Sequence, residues 1–170
     1  DDTVQLGLYN VAVSISGYMM MFQSSLNNTF QPDIFEAVIK KDKKKIIIIL
    51  GGINLLNLIP IALFIIAAPF IIKILTAGRF TEAYKYARIL SLSNVTAGIY
   101  YAISNVIIAH GYPNITLLAK IIGSIISIFL FKFLISNFEF YGAAWGQVLS
   151  FLGMTIVCLI ILFIKQRKNK

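Results

Sequence analysis

From Ile46 to Ile72 no residue carries a charge, and most positions are aliphatic or aromatic. A stretch of this kind constrains the fold more than any other part of the chain. A hydrocarbon core of about 30 Å takes about 20 residues of helix to cross. In lipid, every backbone N–H and C=O needs a partner within the segment or its neighbours, and helix is the form that supplies one. Four further stretches repeat the pattern in weaker form, giving expected spans at 6–29, 46–75, 82–109, 114–136 and 142–164. The expected fold is all-α, a polytopic membrane helix bundle of about five transmembrane helices in one domain over 1–170.

Composition supports lipid as the solvent. The 170 residues are 58% hydrophobic and 13% charged, whereas a soluble domain is about a quarter charged. The formal net charge of +8 does not point to nucleic acid, because no patch interleaves aromatics with bases. Instead the bases gather between and after apolar runs, at Lys40, Lys41, Lys43, Lys44 and Lys45 and from Lys165 to Lys170. Basic loops stay on the cytoplasmic side and favour anionic lipid. The expected topology therefore puts the lysine loop, the His110 turn and the C-terminus in the cytoplasm of a bacterial inner membrane, with the N-terminus outside. The chain opens Asp1-Asp2-Thr3 with neither Met nor a basic leader, and reads as starting in an internal loop of a longer protein.

The connections carry their own signals. His110-Gly111-Tyr112-Pro113 should stop one helix and start the next, with Gly at C′ and Pro at the following N-terminus. Asn137 to Tyr141 reads as a tight link, and Gln31 to Lys45 as the longest connection. Pro60 and Pro69 should kink the second span.

No catalytic constellation is present. The chain has one His and one Cys, without a phosphate loop, metal-spaced cluster or paired acids within a span, so an enzyme, a metal or another cofactor is not expected. A transport role would need polar groups on cavity-lining faces. Ser91, Asn94, Gly98, Tyr101 and Asn105 follow three- and four-residue spacings and share one helix face, with Lys85 and Arg88 at its outer end. These residues read either as a cavity wall with a cationic mouth or as hydrogen-bonded helix glue with snorkelling bases. Tyr9, Ala12, Ser16, Met20, Gln23 and Asn27 form a similar face on the first helix. Lys120 lies about two turns into the fourth span, and Lys132 is close enough to an interface to snorkel. The substrate-pathway candidates are thus Gln23, Lys85, Arg88, Asn94, Tyr101, Asn105 and Lys120. Trp145 reads as an interfacial anchor, and His110 as a helix cap.

In order along the chain, Gly7-Leu8-Tyr9-Asn10-Val11-Ala12, Gln31-Pro32-Asp33 with the following lysines, Gly78-Arg79-Phe80, the stretch from Tyr100 to Gly111, and Tyr141-Gly142-Ala143-Ala144-Trp145-Gly146 resemble the C-terminal half of Wzx-type polysaccharide flippases. These belong to the multidrug/oligosaccharidyl-lipid/polysaccharide exporter superfamily. The resemblance covers nearly the whole chain. It implies part of the C-terminal lobe of a MATE-like transporter, paired with an N-terminal lobe. It further implies translocation of an undecaprenyl-pyrophosphate-linked oligosaccharide for surface polysaccharide biosynthesis, such as O-antigen. A cation-coupled multidrug exporter and a lipid II flippase share the implied fold, and a non-transporting membrane assembly protein is the reading from outside that class.

Overall fold

The computed structural model describes residues 2–168, and every regular element among them is helical. Helix α1 spans Asp2–Ile39, α2 Lys43–Leu75, α3 Tyr84–Ala109 and α4 Pro113–Lys168, with one short 3-10 turn at Thr81–Ala83 before α3. Three helical stretches are long and apolar enough to cross a membrane: α2, the stretch from Thr81 to Ala109, and α4. Two features account for the difference from the five expected spans. The apolar residues of α1 are diluted by Ser, Asn and Gln, and α4 is a single long element rather than two.

That element is not a straight rod. At Glu139 the backbone leaves the helical region, with φ 50° and ψ −128°. The residues on either side then meet in antiparallel pairs: Gly123 approaches Met154, Gly146 approaches Phe131, and Gly142 approaches Leu134. Residues 113–138 and 140–168 are therefore the two arms of a hairpin closed by one residue. A Cβ on Gly142 would strike the carbonyl of Leu134, so only glycine lets the arms come this close.

The long connection expected from Gln31 to Lys45 is corrected. Helix α1 continues through Pro32 to Ile39, which leaves a turn of Lys40, Lys41 and Asp42. Proline inside a helix forfeits one backbone bond, but tertiary packing outweighs that loss. Ile34 and Val38 are buried against Ile53, with Ile46, Leu50 and Val106 around them. Glu36 pairs with Lys40 one turn on and with Lys45 at 3.5 Å. The hydrogen bond from Lys40, and then the charge of Lys45, hold the Glu36 carboxyl below its ordinary value.

Three helix ends share one cap. At the end of α3, Gly111 N–H bonds to Ile108 O and Tyr112 N–H to Ile107 O, with Gly111 at φ 82°. This is the Schellman pattern that the His-Gly-Tyr-Pro sequence predicts. The ends of α1 and α2 repeat it with Lys41 (φ 54°) and Ala77 (φ 48°) in the left-handed position. Asp42 then caps α2 by accepting the N–H of Lys45 at 2.9 Å.

Helix α3 is the hub. It packs against α1, α2 and α4, whereas α1 touches α4 only briefly and no α2–α4 contact occurs among the described residues. One apolar cluster joins Leu8, Ile15, Phe64, Ile72, Tyr86 and Leu90 near the start of α1; another joins Tyr100, Ile107, Ile115, Ala119 and Cys158 between α3 and α4. The outward faces of α2 and α4 remain apolar, with Ile47, Leu63, Ile66, Phe129 and Phe163 exposed. Many hydroxyls and amides are satisfied within their own helix, as in Ser14 to Asn10 O, Ser25 to Met21 O, Asn54 to Leu50 O and Thr155 to Phe151 O. This bonding makes polar residues tolerable beside lipid.

The two ends of the bundle differ in charge. Val106 and Ala109 pack beside Ile46, and Lys165 lies over the Tyr112 ring at 4.1 Å. The lysine turn, His110 and the end of α4 thus share one end. Asn169 and Lys170 lie outside the described residues. His110 meets the carbonyl of Val106 through Nδ1 at 2.8 Å, the capping contact expected of it.

Gly142→Ala should open the hairpin and lower the thermal midpoint of the purified protein. The overlap is with main chain, and overpacking of this kind costs about 1–3 kcal/mol or more. Gly153→Ala, with nothing within 4 Å of its new Cβ, should be neutral or stabilising, since alanine is the better helix former by about 1 kcal/mol. Equal midpoints for the two variants would contradict the hairpin contact.

Candidate functional site

The polar face on α3 is divided by depth. Its upper part is sealed into the seam of α1, α2 and α3. Asn94 is 4% exposed and donates through Nδ2 to Ser16 O of α1 at 3.1 Å. Its own backbone carbonyl accepts from Asn57 Nδ2 of α2 at 3.2 Å. Asn57 and Gln23 are each 1% exposed, and both crowd Gly98, where a Cβ would collide with the Asn57 amide. Gly98 thus makes room for the side chains that tie three helices together. Gln23 and Asn94 occupy the packed seam, as in the helix-glue alternative of the sequence reading. Asn57 was not among the residues singled out from the sequence. The available signal was an amide in the most apolar run, where lipid exposure is costly. Both amide atoms of Gln23 and the Oδ1 atoms of Asn27 and Asn57 are buried without a hydrogen-bond partner among the described residues.

The cations do not converge. Lys85 pairs with Glu82 one turn earlier. Arg88 turns inward, with its guanidinium over the Tyr84 ring at 5.0 Å and Nε donating to Ile65 O of α2 at 2.8 Å. Ile65 lies four residues before Pro69, so its carbonyl is the one that a proline at 69 leaves without an intrahelical donor. Arg88 supplies the missing N–H from the neighbouring helix. Lys120 lies with its ammonium 6.0 Å from the Tyr101 ring centre, and Tyr101 packs on Tyr100 and Phe151. Tyr101 lies thirteen positions after Arg88 on α3, about 20 Å along the axis. The lower pair, Tyr101 and Lys120, is a separate feature, and Asn105 is half-buried one turn further down.

A groove with almost wholly apolar walls lies on the α4 hairpin. Ser124 and Ser127 from one arm, and Gln147 and Ser150 from the other, line this groove of about 500 Å³ with Phe131 and Met154. Ser127 bonds back to Gly123 O at 2.8 Å, while the buried hydroxyl of Ser150 has no partner among the described residues. The sequence carried the signal as two polar pairs spaced three apart in apolar arms. What it lacked was the hairpin register that brings them face to face. No group of three or more metal-ligating side chains occurs among the described residues.

Fold and surface together define an all-helical protein with three helical stretches long and apolar enough to cross a membrane. No family model, curated protein or solved structure matches the chain.

The Arg88 contact makes a sharp prediction. Arg88→Met should lower stability by about 1.5–3 kcal/mol, the range for a hydrogen bond to a charged group. In a Pro69→Ala background the helix regains its own N–H, and the same substitution should then cost much less. Denaturant unfolding of the two single variants and the double variant gives the coupling directly. Additive losses would show that the Arg88–Ile65 bond does not serve the proline break.

Proposed function

We propose that this chain is a lobe of a membrane flippase that moves lipid-linked oligosaccharides across a bacterial cytoplasmic membrane. The carrying observation is the groove of Ser124, Ser127, Gln147 and Ser150 between the α4 arms. Hydroxyls and an amide set well inside apolar arms gain little from acyl chains. The exposed walls of the groove are apolar, from Ile128, Phe131, Phe151 and Met154, and suit the hydrocarbon chain of a lipid-linked cargo or the apolar face of a second lobe. In this reading α1, α2, α3 and the two α4 arms each cross the bilayer, which gives five spans. The family resemblance supports the reading, with an N-terminal lobe completing the pathway and the undecaprenyl-pyrophosphate-linked sugar as substrate. Lys120 beside Tyr101 is the best-placed cation for the phosphate, since Lys85 and Arg88 are already engaged within the bundle.

A second reading, a non-transporting assembly protein, draws support from a different observation. The amides of Gln23, Asn57 and Asn94 are shut inside the bundle and hold helices together without facing a pathway.

Two measurements test these proposals. For orientation, single cysteines at Lys43, Arg79 and Arg167 in a Cys158→Ala background are exposed to an impermeant thiol reagent in intact cells. Arg79 is preferred to Gly78, whose φ of 79° disfavours a side chain. Only position 79 should label; labelling at 43 or 167 reverses the topology. For function, proteoliposomes holding the chain with its partner lobe should flip a fluorescent lipid-linked oligosaccharide. Ser127→Leu and Ser150→Leu, which fill the groove, should together reduce the rate by about tenfold or more, equivalent to about 1.4 kcal/mol on the barrier. Unchanged flipping with normal incorporation would favour the assembly reading.

A further inference from the structure

At the end of the bundle opposite the lysine turn, Glu139 closes the α4 hairpin in a conformation almost reserved for glycine. Strain of this kind costs about 1–3 kcal/mol. Glycine would make the turn more cheaply, so what glutamate adds is its carboxylate. That carboxylate takes part in none of the ion pairs among the described residues, and Lys85 is held by Glu82.

Beside Glu139 lies a cavity of about 420 Å³, lined from α1 by Leu6, Tyr9 and Asn10 and from α4 by Ile135, Glu139 and Phe140. Its aromatic walls are set by packing. The Tyr9 and Phe140 rings lie 5.6 Å apart and tilted by 41°, and Tyr9 meets Tyr86 edge-on at 5.8 Å. Tyr86 is fixed in turn, donating its hydroxyl to Gln5 Oε1 at 2.7 Å and packing against Tyr141 at 4.7 Å. The cavity therefore combines rigid aromatic rings, one uncommitted carboxylate, one amide and aliphatic side chains. Its volume falls within the about 300–1,000 Å³ typical of small-ligand sites.

This lining selects among ligand classes. An anion meets the Glu139 charge unopposed. A bare metal ion finds one carboxylate and no cluster of ligands. A neutral apolar molecule leaves Glu139 and Asn10 unused. A cation wrapped in methyl or methylene groups uses every wall: rings attract its charge through their faces, the carboxylate neutralises it, and the aliphatic side chains cover its carbons. We propose that this cavity binds an alkylammonium group, carried either by a zwitterionic lipid headgroup or by a free quaternary amine. The site is separate from the α4 groove and does not depend on the flippase reading.

The test uses the full chain in neutral detergent, titrated calorimetrically with tetramethylammonium chloride against a sodium chloride control. Saturable binding to the wild type is expected, with no competition from sodium. Glu139→Gln should weaken it by about tenfold or more, equivalent to about 1.4 kcal/mol. Tyr9→Leu should weaken it several-fold, and Tyr9→Phe, which keeps the ring, should bind nearly as the wild type does. Glu139→Gly separates ligand from fold: it should raise the thermal midpoint by relieving the strained turn and still lose binding. Nanodiscs distinguish the source. Loss of tetramethylammonium binding in phosphatidylcholine but not in phosphatidylglycerol assigns the site to a lipid headgroup; equal binding in both assigns it to a free amine. Absence of saturable binding in detergent and both lipids, or wild-type affinity in Glu139→Gln, overturns the proposal.

Discussion

Three helices meet where Asn94 reaches the backbone of α1 and Asn57 reaches the backbone of α3, and the rest of the bundle depends on that pair of hydrogen bonds. In water, burying several amides around one glycine would be a poor exchange for apolar packing. Among lipids the comparison changes, because the acyl chains offer as much apolar contact as Leu does and no hydrogen bonds. Side chains bonded to backbone carbonyls on neighbouring helices then fix register in a way that apolar faces alone do not. Gly98 is what permits it, since a single methyl group there would occupy the space of the Asn57 amide. The unpaired atoms of Gln23, Asn27 and Asn57 in the same seam form a polar interior inside an apolar sleeve.

The same logic governs the broken helix. A proline in a membrane helix leaves a carbonyl that lipid does not satisfy, and a neighbouring group must reach it. Arg88 does so for Ile65. The arginine that the sequence offers as a cationic mouth is thereby drawn into holding α2 against α3. An isolated charge on a helix face has two uses in a membrane, and which one applies is decided by the next helix.

Much of this was legible in the residues, and the boundary has a physical cause. Helical class and membrane-crossing character follow from apolar runs that need no partner to be recognised. The end of α3 was legible because Gly111 advertises the left-handed cap. The equivalent caps at Lys41 and Ala77 were not, because those residues enter that region only under the constraint of the surrounding turn. The spacing of Ser91, Asn94 and Gly98 revealed a shared face but not what the face meets. That required the register of α3 against α1 and α2, which no local pattern contains. The continuation of α1 through Pro32 was hidden for the same reason: it is stabilised by Ile34 and Val38 against Ile53, a contact between residues far apart in sequence.

The hub position of α3 bears on how the chain assembles. The α4 arms pair residues only a few tens of positions apart, around one turn, so the hairpin closes over a short loop at small entropic cost. The seam of α1, α2 and α3 needs partners as distant as Ser16 and Asn94, and forms only once α3 has emerged. With no contact between α2 and α4 among the described residues and only a brief one between α1 and α4, α3 is the main link between the two units. During synthesis the chain thus passes through a stage in which α1 and α2 wait side by side with Gln23 and Asn57 unsheltered. The arrival of the third helix, rather than the insertion of any one span, is the step that commits the bundle to its native arrangement.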